Sequence, residues 1–212
     1  MSIRPETYRV FVGSPQGLEE ERESFYERLI WFSQHYGAYE ELAFQPVGWE
    51  QVTGGYGRPQ FHINKVLAEC DYAVFILHDR YGSPPGGNHA SGTEEEFELA
   101  KKLYKRKTIK GIALFLKEID PEKLAKPDEQ LAAVLSFRIQ IEKKRQFLYK
   151  NYSSLNQFRD LLVEYLLSWC GDHRRRTQAT PSTFSLRAQQ QLGMAVVRNH
   201  RVEDYFTLPP PA

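Results

Sequence analysis

Asp71-Tyr72-Ala73-Val74-Phe75-Ile76-Leu77-His78 is the stretch on which the fold turns. Its apolar run is continuous rather than alternating, which marks a strand buried on both faces, as in a parallel sheet. Upstream, Tyr8-Arg9-Val10-Phe11-Val12 runs into Gly13-Ser14-Pro15 and reads as a first strand closed by a turn. Leu42-Ala43-Phe44-Gln45-Pro46-Val47 reads as a second, with Pro46 placing it near an edge. Downstream, Ile109–Leu116 is a fourth strand and Gln146-Phe147-Leu148-Tyr149 a short fifth.

Helical spacing fills the intervals. Phe25, Leu29, Phe32 and Tyr36 share one face, with Gly37 as the stop. Gly54-Gly55-Tyr56-Gly57-Arg58-Pro59 is a flexible loop, and Phe61, Ile63, Val66 and Leu67 mark a short helix ending near Cys70. Phe97, Ala100, Leu103 and Tyr104 mark another, and Asp128 to Lys144 is helix-prone. Leu155, Phe158, Leu162, Tyr165 and Trp169 line the last helix, capped by Ser153 or Ser154. Strands alternating with helices give a doubly wound α/β sheet of five parallel strands with helices on both faces. Ligands of such sheets bind outside the carboxyl ends of the strands. That rule gathers Gly13-Ser14, Gly48-Trp49-Glu50, Asp79-Arg80-Tyr81 and Ser91–Glu96 around one crevice.

The domain is expected to span residues 1–171. Residues 172–212, rich in Arg, Gln, Thr and Pro, read as a linker or tail leading to a further domain, with Arg174-Arg175-Arg176 as a solvated hinge. The chain has a net charge of +1 with acids and bases interspersed, which argues against a nucleic-acid partner. No apolar run is long enough to cross a bilayer and no signal region opens the chain, so a cytoplasmic location is expected. The two cysteines, Cys70 and Cys170, read as buried, reduced thiols.

The chemistry-bearing motifs are few. There is no phosphate loop, no Gly-x-Gly-x-x-Gly after the first strand and no nucleophile elbow. The histidines lack metal-ligand spacing, so no metal is expected. What remains is Ser91-Gly92-Thr93-Glu94-Glu95-Glu96. Thr93 with Glu96 fits a capping box, which would give the glutamate a structural role. The same first-turn position also favours an ionised carboxylate through nearby amides and the helix dipole. Such a group suits an oxocarbenium-like centre formed as a ribosyl carbon–nitrogen bond breaks. The three glutamates point about 100° apart around the helix. Glu96 is the best candidate, with the small Ala100 one turn on.

Val10-Phe11-Val12-Gly13-Ser14 with Leu18 and Glu21-Arg22, then Val47-Gly48-Trp49-Glu50, resemble bacterial TIR-like domains long catalogued as a domain of unknown function. Gly57-Arg58-Pro59-Gln60 with Ile63-Asn64, Glu69-Cys70-Asp71, Arg80-Tyr81-Gly82 and Ser91–Ala100 extend the likeness over about Tyr8 to Trp169. The resemblance implies a flavodoxin-like fold and an effector domain in an antiphage or signalling protein. Such a domain is often N-terminal to a STAND NTPase and is activated by oligomerisation, so self-association and a C-terminal NTPase module are the partners it implies. Catalytic TIR domains cleave NAD at the nicotinamide–ribose bond with a glutamate on the helix after the third strand, the place of Glu96. NAD is then substrate rather than cofactor, with Ser14, Trp49, Arg80, Tyr81 and Thr93 lining its pocket. Gly92-Thr93-x-x-Glu96-x-x-x-Ala100 also resembles nucleoside deoxyribosyltransferases. Glu94-Glu95 departs from the usual TIR Trp-Cys. A non-catalytic assembly domain and a nucleoside or nucleotide N-glycosidase are therefore carried as alternatives.

Overall fold

The computed structural model describes residues 5–52, 56–145 and 147–178. The chain divides into two units, Met1–Cys170 and Gly171–Ala212. The first unit is built on five parallel strands: β1 (Glu6–Gly13), β2 (Leu42–Val47), β3 (Tyr72–Leu77), β4 (Gly111–Lys117) and β5 (Lys150–Tyr152). Their order is β2-β1-β3-β4-β5, the flavodoxin-like order, with the topological switch between β1 and β3. Register is set by pairs such as Val10 with both Pro46 and Tyr72, and Val74 with Ala113. All six residues of β3 are buried, as its unbroken apolar run requires. Pro46 lies in β2, the edge strand, where its missing N–H breaks no ladder on the open side.

The helices are α1 (Glu19–Glu40), α2 (Pro59–Ala68), α3 (Gly92–Lys105), α4 (Pro121–Ala125), α5 (Glu129–Lys144) and α6 (Leu155–Gln178). Because successive strand side chains point to opposite faces, β1 sends Val10 and Val12 to one core and Phe11 to another. The first core is covered by Phe25, Leu29 and Phe32 of α1 and by Phe158, Leu162, Leu166 and Trp169 of α6. The second is covered by Leu67 of α2, Phe97, Ala100 and Leu103 of α3, and Val134, Phe137 and Ile141 of α5. Towards the amino ends of the strands, Tyr72 stacks on Trp169 with ring centroids 4.2 Å apart, and Tyr8 and Phe44 pack edgewise against Tyr72. Gly111 is needed there, since a Cβ would lie 2.8 Å from the indole Nε1 of Trp169.

Several local expectations are corrected. Gly37 does not stop α1, which continues to Glu40 and ends on Glu41 in the left-handed region. Glycine at 37 instead admits the Leu42 carbonyl oxygen, 3.0 Å from where its Cβ would be. Tyr36 and Tyr104, expected on buried helix faces, are exposed. The fifth strand is Lys150–Tyr152 rather than 146–149. Phe147 and Tyr149 pack against the second core from outside the sheet, and Gln146 lies outside the described residues. Ser154 is the residue whose hydroxyl accepts from Gln157 at the start of α6. That helix is described to Gln178 and includes Arg174–Arg176. The rest of the expected tail, residues 179–212, and Gly54-Gly55 of the expected loop lie outside the described residues. No helix among the described residues is long and apolar enough to cross a membrane.

Candidate functional site

Three consecutive glutamates open α3, and each has a different partner. Ser91, in extended conformation, is the N-cap: its hydroxyl accepts from the Glu94 amide at 3.0 Å. Glu94 reaches back to accept from the Ala90 amide at 2.7 Å. The capping pair is therefore Ser91 with Glu94, not Thr93 with Glu96. Thr93 lies two residues past the N-cap, inside the first turn, buried among Phe75, Phe97 and Phe137.

Glu95 turns towards α2. Its carboxylate takes both arms of Arg58, at 2.9 and 2.6 Å, and the Asn64 side-chain amide at 2.7 Å. Burial alone would raise its pKa, but those three bonds outweigh it and hold the group below the usual carboxylate range.

Glu96 is left free of both tasks. It is buried, and its Oε1 accepts from the Gln60 side-chain amide at 2.9 Å. Its Oε2 lies against the backbone of Gly13 at the carboxyl end of β1, where an added Cβ would come within 2.7 Å of it. The carboxyl is pushed up to about 7, because desolvation exceeds the opposing effects of the Gln60 bond and the Arg22 charge. This corrects the expectation of a carboxylate held ionised by the helix start. The Glu94 and Glu95 amides of that turn bond to Ser91, while the Glu96 carboxyl is buried.

Beside Gly13 the strand passes into Ser14, which lines an open groove of about 560 Å³. Its walls come from the β1–α1 turn, from Glu19, Arg22, Glu23 and Tyr26 of α1, and from a single 3-10 turn, Trp49–Gln51, after β2. Arg22 organises this groove. Its guanidinium donates to Ser14 Oγ at 3.2 Å and pairs with Glu50, and it lies over the Trp49 ring at 5.7 Å. Tyr26 donates to the other Glu50 oxygen at 3.1 Å. Burial opposes ionisation of Glu50, but the bonds from Arg22 and Tyr26 keep its pKa low. Gly48 allows the cluster to close, since a Cβ there would collide with Tyr26, Glu50 and Arg22. Trp49, half exposed, lines the groove with Arg22 over its ring. Glu96 is not part of these walls; it reaches Gly13 from the α3 face. Arg22 belongs to both, lining the groove while its charge acts on Glu96.

The other candidates divide. Arg80 is exposed and its Cδ lies near Gly17, on the turn that leads into the groove. Tyr81 is buried 5.6 Å from Phe137, and burial together with Glu94 pushes its phenol above the usual range. Tyr81 and Thr93 share a crevice too small for a water molecule, so the structure gives them packing roles. Sequence reasoning missed Arg58, Gln60 and Asn64 as partners of the glutamates, and Arg22 and Tyr26 as walls of the groove. Gln60 and Asn64, four apart on α2, were the legible sign of a polar helix face. Among the described residues no three His, Cys, Asp or Glu side chains converge as a metal site.

The model of a family described as a domain of unknown function, DUF4062, matches residues 9–166. The chain belongs to that family. The match runs from within β1 to the middle of α6, so the groove and all three glutamates lie inside the DUF4062 domain. No curated protein matches the chain.

Proposed function

We propose that this DUF4062 domain is a TIR-like effector that cleaves the nicotinamide–ribose bond of NAD, with Glu96 as the catalytic carboxylate. The observation that carries the reading is the position and ionisation of Glu96. It is the one glutamate of the three not committed to a cap or an ion pair, it stands at the carboxyl end of β1, and it titrates near neutrality. A carboxyl with a pKa of about 7 is about half ionised at pH 7, which suits both charge stabilisation and proton acceptance. In the reaction, the bond between C1′ and the pyridinium nitrogen breaks and its electron pair stays on nitrogen, giving neutral nicotinamide without prior protonation. The ionised Glu96 stabilises the positive ribosyl carbon. Water then bonds to C1′, and its proton passes to Glu96.

The groove suits the cationic pyridinium of the substrate. Glu19, Glu23 and Glu50 outnumber Arg22 on its walls, and Trp49 offers a face for stacking a pyridinium. That balance favours NAD over a neutral nucleoside, the substrate of the N-glycosidase alternative. Arg80, exposed and close to Gly17, adds a positive group beside the groove for the pyrophosphate.

A non-catalytic assembly role draws on a different feature. Trp31 and Tyr36, in edge contact, and Tyr39 are exposed along α1, an aromatic surface suited to self-association. The two roles are compatible in a domain that is switched on by clustering, within an antiphage or signalling protein that carries a STAND NTPase module. The test is to incubate the protein, free and artificially clustered, with NAD and follow nicotinamide release beside Glu96→Gln. Release by the wild type that the substitution abolishes is the expected result. No release from either form of the wild type would overturn the NADase reading in favour of assembly, and release from nucleosides alone would favour the N-glycosidase.

A further inference from the structure

The side chain that touches Glu96 comes from α2. Gln60 is itself buried, and both N–H groups of its amide are engaged: one donates to Glu96 Oε1 at 2.9 Å, the other to Asn64 Oδ1 at 3.3 Å. Asn64 in turn donates to Glu95, which holds Arg58. The two adjacent glutamates are thus tied together across the α2–α3 contact by an unbroken hydrogen-bonded chain. Asn64 fixes the sense of the Gln60 amide, because its own amide nitrogen is spent on Glu95 and it presents oxygen to Gln60. Gln60 must therefore present nitrogen, not oxygen, to Glu96. Space for this is made by Gly92 in the first turn of α3, where a Cβ would stand 2.6 Å from Gln60 Oε1. Gly92 does not have a positive φ, so the demand there is for room, not for backbone freedom.

We propose that Gln60 is the positioning residue of Glu96: its amide fixes one carboxylate oxygen, so that the other faces Gly13 at the carboxyl end of β1, and Gly92 keeps the amide in place. For the cleavage reaction the inference rests on the NADase reading, but the coupling of Gln60 to Glu96 can be measured without substrate. An N–H donor directed at a carboxylate favours its ionised form. Losing that donor raises the proton affinity of Glu96 and frees the carboxylate to rotate.

The experiment is a pH titration of the Glu96 side-chain carboxyl carbon by NMR in the full chain, with the resonance assigned by its loss in Glu96→Gln. Two variants are compared with the wild type. Gln60→Met removes the donor at similar volume, and Gly92→Ala leaves Gln60 in place but pushes its amide aside, a change that a flexible side-chain end accommodates. Both are expected to raise the Glu96 midpoint by about one pH unit, a tenfold change in its protonation equilibrium. Where nicotinamide release is measurable, the acidic limb of its kcat/KM profile moves by the same amount, and kcat falls more than KM rises. A midpoint unchanged in both variants would overturn the positioning role. Should Gln60→Met fail to fold, Gly92→Ala decides alone. A shifted midpoint in a protein that releases no nicotinamide upholds the coupling and refutes the NADase reading, so the two failures are told apart.

Discussion

Replacing Glu96 by Gln should make the protein more stable, and more so as pH rises. The carboxyl is pushed from 4.5 to about 7 in the folded chain. A group whose folded pKa is raised binds more protons folded than unfolded between those values, so ionisation costs the native state as pH climbs. Below about pH 4.5 both states are protonated and there is no cost. Above about 7 both are ionised and the cost is complete. The shift of about 2.5 pH units, at 1.36 kcal/mol each, gives a full penalty of about 3 kcal/mol, to order of magnitude. About 2 to 3 kcal/mol of it should develop between pH 5 and pH 8. Gln is isosteric with the protonated carboxyl and its oxygen still accepts from Gln60, so the variant keeps the packing without the titration. Urea unfolding of both proteins at half-unit pH steps gives the difference directly. A stability difference that stays flat from pH 5 to pH 8, or that favours the wild type more at high pH, would refute the account of Glu96 as a desolvated carboxyl.

Ser91→Ala should cost about 1 kcal/mol by uncapping α3, whereas Thr93→Val should cost little, and denaturant midpoints of the pair separate the two capping registers. Gly13→Ala places a Cβ 2.7 Å from Glu96 Oε2 and 2.8 Å from the buried Phe75 ring; a loss of about 1–3 kcal/mol is expected, read as a lowered Tm. Trp49→Ala removes a half-exposed ring, so its unfolding midpoint should move by less than about 1 kcal/mol. Its KM for NAD cleavage should nonetheless rise several-fold through lost stacking on the substrate.

The sheet was legible because burial on both faces leaves an unbroken apolar run, as in β3, and because Pro46 is tolerated only at an edge. β5 was not, for the opposite reason. Its Lys150 and Asn151 face solvent and only Tyr152 is buried, while the more strand-like Phe147 and Tyr149 pack outside the sheet. Gly37 shows that a glycine near a helix end can answer a close tertiary approach instead of a cap. The Ser91–Glu96 stretch fits the capping pattern in two overlapping registers, and only the extended backbone of Ser91 decides between them. The small Ala100 one turn on was the sequence's reason for preferring Glu96 among the three glutamates. The raised pKa of Glu96 could not be read there, because desolvation depends on Gly13 and Gln60, which come from other parts of the chain.

The stacking of Tyr72 on Trp169, with Tyr8 and Phe44 edge-on, has a consequence for how this domain can vary. The tightest ring packing lies at the end of the sheet opposite the groove, where a Cβ at Gly111 would stand 2.8 Å from the Trp169 indole nitrogen. The turns that shape the groove hang from strand ends anchored at their far side. A change of length or composition in those turns leaves untouched the ring packing that ties β1, β2, β3 and α6 together at the opposite pole.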